Sequence, residues 1–131
     1  MRALYFSATA TAAIVVDVNA VLRSSAAAGG TPSNPTIVAN DSNNSASTAL
    51  ITAYATAPTP GTAVGTIGSE KTLVSAPSSS NYIGVVRFLF GESQGSIQPL
   101  VLRGASQFLC LNTSALGAGA SIDISSIHTE D

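Results

Sequence analysis

The sequence has little charge. Arg, Lys, Asp and Glu make up 9% of its 131 residues, against roughly 25% in an average globular protein. Its five basic residues, Arg2, Arg23, Lys71, Arg87 and Arg103, are scattered along the chain. No basic stripe exists that could neutralise a run of phosphates, so nucleic acid is not an expected direct partner. Tryptophan is absent, and aromatic residues are only 5%. A carbohydrate platform built from Tyr5, Tyr54 and Tyr82 is therefore not indicated. One cysteine, Cys110, excludes an internal disulfide, and one histidine, His128, leaves too few ligands for a closed zinc site. Inside "FLCLN", Cys110 reads as a small core residue rather than a catalytic thiol. No apolar run reaches the length of a membrane-spanning helix, and no membrane partner is expected.

Ser, Thr, Asn, Gly and Pro supply most of the remainder, and small residues carry much of the 45% hydrophobic content. Helix signals are nearly missing, because "SAAAGG" and "SALGAGA" are short and end in glycine. Strand signals recur throughout as apolar and β-branched runs between Gly, Pro, Asn and Ser. They predict strands near residues 2–6, 12–18, 36–39, 48–56, 62–67, 71–75, 83–90, 98–103, 107–112 and 120–127. "TALITAYAT" and "SIDISSI" alternate, as strands with one wet face do. "IGVVRFLF" and "FLCLN" are apolar on both faces, as in a buried strand. The expected fold is all-β: one antiparallel β-sandwich domain over residues 1–131, in jelly-roll form.

The N-terminal stretch "MRALYFSATATAAIVVDVNA" loosely resembles a secretory signal. Its interrupting Ser and Thr, and Asp17 near the cleavage region, make two strands the better reading. Residues 24–47, "SSAAAGGTPSNPTIVANDSNNSAS", read as a long ordered loop. A loop of this length in a compact domain is expected to rest on a neighbour, here another copy of the chain.

Three motifs invite a chemical reading. Gly91-Glu92-Ser93-Gln94-Gly95 fits the G-x-S-x-G elbow, and Asp123 and His128 follow in hydrolase order. The elbow needs a helix after the serine, but "SIQPLVLRG" reads as loop and strand. His128 also lies among the last residues, where a frayed tail would hold it poorly. "GTIGSEKT" (65–72) nearly spells a phosphate loop, but Glu70 replaces the second glycine and would repel phosphate. A hairpin with Glu70 and Lys71 at its tip is the expectation. Asp41, Asn43 and Ser45 have the spacing of a calcium loop's start, yet Ala46 and Thr52 stand where glycine and glutamate are needed. The Asn-x-Ser/Thr matches at 40–42, 43–45 and 112–114 have meaning only in a secreted chain. No catalytic, cofactor-binding or metal-binding residue is therefore assigned, and the chain is not expected to be an enzyme.

Three stretches together carry a resemblance: "GTPSNPTIVAND" (30–41), "YATAPTPGTAVGTI" (54–67) and "LVLRGASQFLCLNTSALGAGASIDISSIHTED" (100–131). In this order they resemble small β proteins encoded near the structural genes of tailed bacteriophages and prophages. The sequence departs from that pattern at its end, where "SSIHTED" replaces a tryptophan-containing close. The resemblance implies a structural virion protein, with a capsid cement or decoration protein as the leading form. It implies a place on the outer surface of the capsid, the major capsid protein as partner, and a homotrimer of the chain itself. A tail- or fibre-associated binding module is the alternative, and a serine hydrolase is a distant third. Residues 1–6 and the 24–47 loop are the candidate partner contacts. Arg87 and Arg103, both in apolar runs, are expected to have partners within the chain or across a contact.

Overall fold

The computed structural model describes residues 3–39, 41, 43, 45, 47–74, 84–90, 100–116 and 120–127. The fold is all-β, with antiparallel sheets packed together as a single sandwich. Its strands are β1 (Ala3–Thr9), β2 (Ile14–Arg23), β3 (Pro32–Ser33), β4 (Ala53–Tyr54), β5 (Ala63–Val74), β6 (Gly84–Leu89), β7 (Phe108–Thr113) and β8 (Ser121–Ile127). One sheet has the order β6-β1-β8, the other β5-β2-β7, and β3-β4 forms a small ribbon apart.

The registers show how the chain moves between the sheets. Ala8 pairs with Gly84 and Thr9 with Ser121 in the first sheet. Ile14 pairs with Val74, and Val18 with Thr113, in the second. The passages β1 to β2, β5 to β6 and β7 to β8 therefore all leave from one end of the sandwich. Each carries the chain across to the opposite sheet. β1 to β2 leads from the first sheet to the second and the other two lead back, while β6 to β7 crosses at the opposite end; every lateral pairing is antiparallel.

Side-chain alternation explains why these segments are strands. Phe6 and Ala8 of β1, Val16, Val18 and Ala20 of β2, and Val86 and Phe88 of β6 all point inward and are buried. Their neighbours Tyr5, Ser7, Val15, Asp17, Val85 and Arg87 are at least partly exposed. Period-two burial of this kind is the pleat at work. The core is small: Phe6, Val16, Val18 and Val74 are its largest fully buried side chains. Leu109, Leu111 and Ile122 close its flank from β7 and β8.

The core depends on a missing side chain. A Cβ built on Gly68 of β5 would lie 2.8 Å from two atoms of the Phe88 ring. The ring of one sheet thus fills space that glycine leaves in the other. Gly68→Ala is expected to force Phe88 off its position and cost about 1–3 kcal/mol, the usual range for overpacking. Urea denaturation of the two proteins checks this, and an unchanged midpoint would show that the ring has room to move.

Several sequence expectations need correction. The sequence reads residues 62–67 and 71–75 as two strands joined at Glu70 and Lys71. Residues 63–74 are one continuous strand, β5, with Glu70 and Lys71 within it; residue 75 lies outside the described residues. The ladder is regular at these two residues: Glu70 pairs with Val18 and Lys71 with Asp17, whose carboxylate lies 3.2 Å from Lys71 Nζ, and the two register slips lie further along, at Ala20/Val21 and Leu22/Arg23. Residues 36–39 and 48–52 form no strand, and of the 48–56 run Ala53–Tyr54 is strand. Residues 100–103 are also not a strand, with Val101 and Leu102 exposed; 98 and 99 lie outside the described residues.

Candidate functional site

The feature that stands apart from the sandwich is the passage from β2 to β5, residues 24–62. It leaves from the end opposite the β1–β2, β5–β6 and β7–β8 passages. The sequence reads residues 24–47 as a loop; the structure makes it half of a longer ribbon. The backbone N–H of Ser24 donates to Thr62 O, and Ala28 and Thr59 exchange two hydrogen bonds. Ala55 N–H donates to Thr31 O, and Pro32 and Ser33 pair with Tyr54 and Ala53. The side chains of Thr31 and Thr56 share a hydrogen bond, and Thr52 Oγ1 donates to Asn34 Oδ1. Residues 24–34 thus run antiparallel to 52–62 as an irregular continuation of the β2–β5 pair. At about 3.3 Å per residue, such a leg reaches at most about 35 Å.

Two glycines and one arginine fix its root and bend. Gly61 lies so close to Ser25 that a Cβ would be 1.9 Å from the Ser25 carbonyl oxygen. Gly30 has φ of +72° and lies against Thr56 O and the Tyr54 ring. Its left-handed backbone is open to glycine at little steric cost. At the base, Arg23 is 7% exposed and its guanidinium Nη1 donates to Gly61 O. Its Nε has no hydrogen-bond partner among the described residues. Sequence reasoning singled out Arg87 and Arg103 and missed Arg23. Nothing local marks it, because its burial comes from the ribbon folding against the strand end.

The ribbon is nearly free of charge: Asp41 is its only charged residue. No described residue of 24–62 is buried. Val38 is 80% exposed and Leu50 is 76% exposed, the most exposed large apolar side chains described. Exposed apolar groups near the tip, without the charge that deters association, are suited to contact with another molecule.

The sites suggested by sequence motifs fall elsewhere. Ser93 and His128 lie outside the described residues, and Asp123 is exposed on β8. The 65–72 stretch lies in β5 rather than in a loop before a helix, so it has no phosphate cradle. The Asp41 carboxylate accepts a hydrogen bond from Asn43 N–H at 2.9 Å, a local turn. No group of three metal-ligating side chains occurs among the described residues. Cys110 is half-buried on β7. Arg103 is exposed, and its backbone N–H donates to the Gln107 side chain. Arg87 is exposed on the outer face of the first sheet, with its guanidinium 5.2 Å from the centroid of the Tyr5 ring.

That face carries a shallow depression whose lining includes Tyr5, Phe6, Ser7, Val85, Asp123 and Ile124. Its volume of about 140 Å³ is below the roughly 300 Å³ at which ligand pockets usually begin. Arg87 also sits over the half-buried ring of Tyr5, 5.2 Å from its centroid. Of the proposed N-terminal contact segment, residues 3–6 belong to the central strand of the first sheet, and Phe6 is in the core. Residues 1 and 2 lie outside the described residues. The 24–62 ribbon remains as the candidate site.

Comparison with known proteins adds no family to this picture: no family model, curated protein or solved structure matches the chain.

Proposed function

We propose that this chain is a structural protein of a virion, a cement or decoration protein on the outer surface of a capsid. In this reading it bridges neighbouring major capsid subunits and stabilises the shell. The observation that carries the proposal is the ribbon of residues 24–62, extended from the sandwich and holding one charged residue. The resemblance of three sequence stretches to phage-encoded β proteins supplies the biological setting. The low charge of the whole chain also supports it, since a soft Ser/Thr/Ala surface suits permanent contacts in an assembly.

The mechanism is mechanical. Each copy covers shell surface that would otherwise face water, and each contact adds a modest free energy. Several contacts held by one oligomer act together, so the whole binds far more tightly than any one of them. Internal pressure then has to break many contacts at once.

Replacing residues 35–51 by a two-residue Gly-Ser turn removes the tip and keeps the paired root. This variant is expected to retain the wild-type Tm and to lose binding to purified shells. Full occupancy on shells would reject the ribbon as the contact. Copy number in purified particles tests the wider reading. A ratio near one to the major capsid protein is expected. A few dozen copies per particle would favour a tail-associated binding module, and absence from particles would remove the virion reading.

A further inference from the structure

Each sheet of the sandwich has two edges, and an open edge invites another strand. The four edge strands are not equally protected. β5 carries Glu70 and Lys71 and two register slips against β2. β6 carries Arg87, and β8 carries Asp123. Charges and irregularities of this kind are the usual devices that keep edges from pairing. β7, "FLCLNT", has none of them: no charge, no proline and no register slip against β2. It is the last strand of its sheet, and no described strand lies beyond it.

The ribbon holds the complementary element. Residues 36–39, Thr-Ile-Val-Ala, are rich in strand-forming side chains, yet join no strand within the chain. Thr36 and Val38 are exposed while Ile37 and Ala39 are half-buried, the period-two alternation of an extended segment. Pairing of 24–34 with 52–62 holds this segment in the ribbon, away from any ladder with its own β7.

We propose that residues 36–39 of one copy add as a strand to the open edge of β7 in a second copy. The occupant is argued to be the same chain because both halves of the contact are on it. An uncharged donor meets the one uncharged edge, while charged side chains mark the other three. Main-chain hydrogen bonds supply the affinity in strand addition, and alternate side chains set the register. The contact is head-to-tail, so it closes into a ring only when the rotation between copies allows it. This inference concerns the chain by itself and does not depend on the shell.

The native Cys110 on β7 provides the test. Four single variants, Thr36→Cys, Ile37→Cys, Val38→Cys and Ala39→Cys, are purified as full-length protein and mildly oxidised. Directly opposed side chains on neighbouring strands lie close enough for a disulfide after small adjustment. Only one residue can lie directly opposite Cys110 and the diagonal neighbours are out of disulfide reach, so one of the four variants is expected to give intermolecular dimers on non-reducing gels well above the other three. Adding Cys110→Ser should abolish them. In parallel, Val38→Lys at its exposed position should shift the wild-type oligomer to monomer in sedimentation, with Tm unchanged. The proposal is overturned if wild-type protein sediments as a monomer at about 100 µM, or if no variant cross-links above the Cys110→Ser background. Bonds found only within one chain would equally overturn it, since they place the segment on its own β7. Self-association by this route with no binding to shells would reject the virion reading alone; shell binding by a monomer would reject this inference alone.

Discussion

Phe6→Ala is expected to cost about 3–5 kcal/mol of folding stability, the usual range for a buried phenylalanine. Phe6 is fully buried in the central strand of its sheet, paired with β6 on one side and β8 on the other. The loss has two parts: the apolar surface no longer removed from water, and the cavity left behind. This core has little to fill such a cavity. Its other fully buried members are valines and alanines, and β-branched valines have few rotamers with which to move inward. A domain of this size has only about 5–15 kcal/mol in total. The variant should therefore unfold more than about 10 °C below the wild type, or be recovered aggregated. A Tm within 3 °C of the wild type would mean that Phe6 is not central to the core. Phe6→Leu, which keeps most of the volume, should recover much of the loss.

The second large effect is expected at the root of the ribbon. Gly61→Ala puts a methyl group where the Ser25 carbonyl already lies, 1.9 Å from its oxygen and 2.6 Å from its carbon. The obstacle is backbone, so no side-chain rotation relieves it. The two legs must separate there, and three interactions go with them: Arg23 to Gly61 O, Ser24 N–H to Thr62 O, and Thr62 N–H to Ser25 Oγ. Loss of the first matters most. Arg23 is buried, and a buried cation deprived of its acceptor is costly, commonly about 3 kcal/mol or more. The strands of the sandwich remain paired. The expected signature is therefore divided: cleavage within residues 24–62 by a broad-specificity protease rises at least about tenfold, while the far-ultraviolet spectrum stays that of a β protein. Equal protease resistance in both proteins would show that the root adjusts around the methyl group. The double variant Arg23→Met/Gly61→Ala should be more stable than Gly61→Ala alone, because it removes the stranded charge.

What was legible in the sequence was local. The runs that became β1, β2, β6, β7 and β8 announce themselves because their inner faces are apolar, and the sandwich class follows from their number and spacing. From sequence β5 reads as two strands, because Gly68, Glu70 and Lys71 look like turn residues. Only the neighbouring sheet shows why Gly68 is in a strand, since Phe88 needs its space. The ribbon was half visible. Residues 24–47 signal a loop by composition, but their pairing with 52–62 joins distant segments and leaves no periodic mark. Conversely, "TIVA" carries strand propensity without forming a strand, since propensity needs a partner strand to be realised. The burial of Arg23 was invisible for the same reason. The motif around Ser93 fell outside the described residues, and its partner Asp123 is exposed.

The strand order has a consequence for how the molecule is made. β1 pairs with β6 and β8, so Ala3 meets both Leu89 and Ile127. Almost no sheet pairing joins strands that are close in sequence. Such a topology has a high contact order and folds slowly, because long loops must close before any ladder forms. During synthesis, β1 emerges long before either of its partners and waits with both edges open. An uncharged segment in that state is exposed to pairing with other nascent chains. The scarcity of charge thus makes synthesis hazardous, and yield of soluble protein should depend steeply on expression rate and temperature.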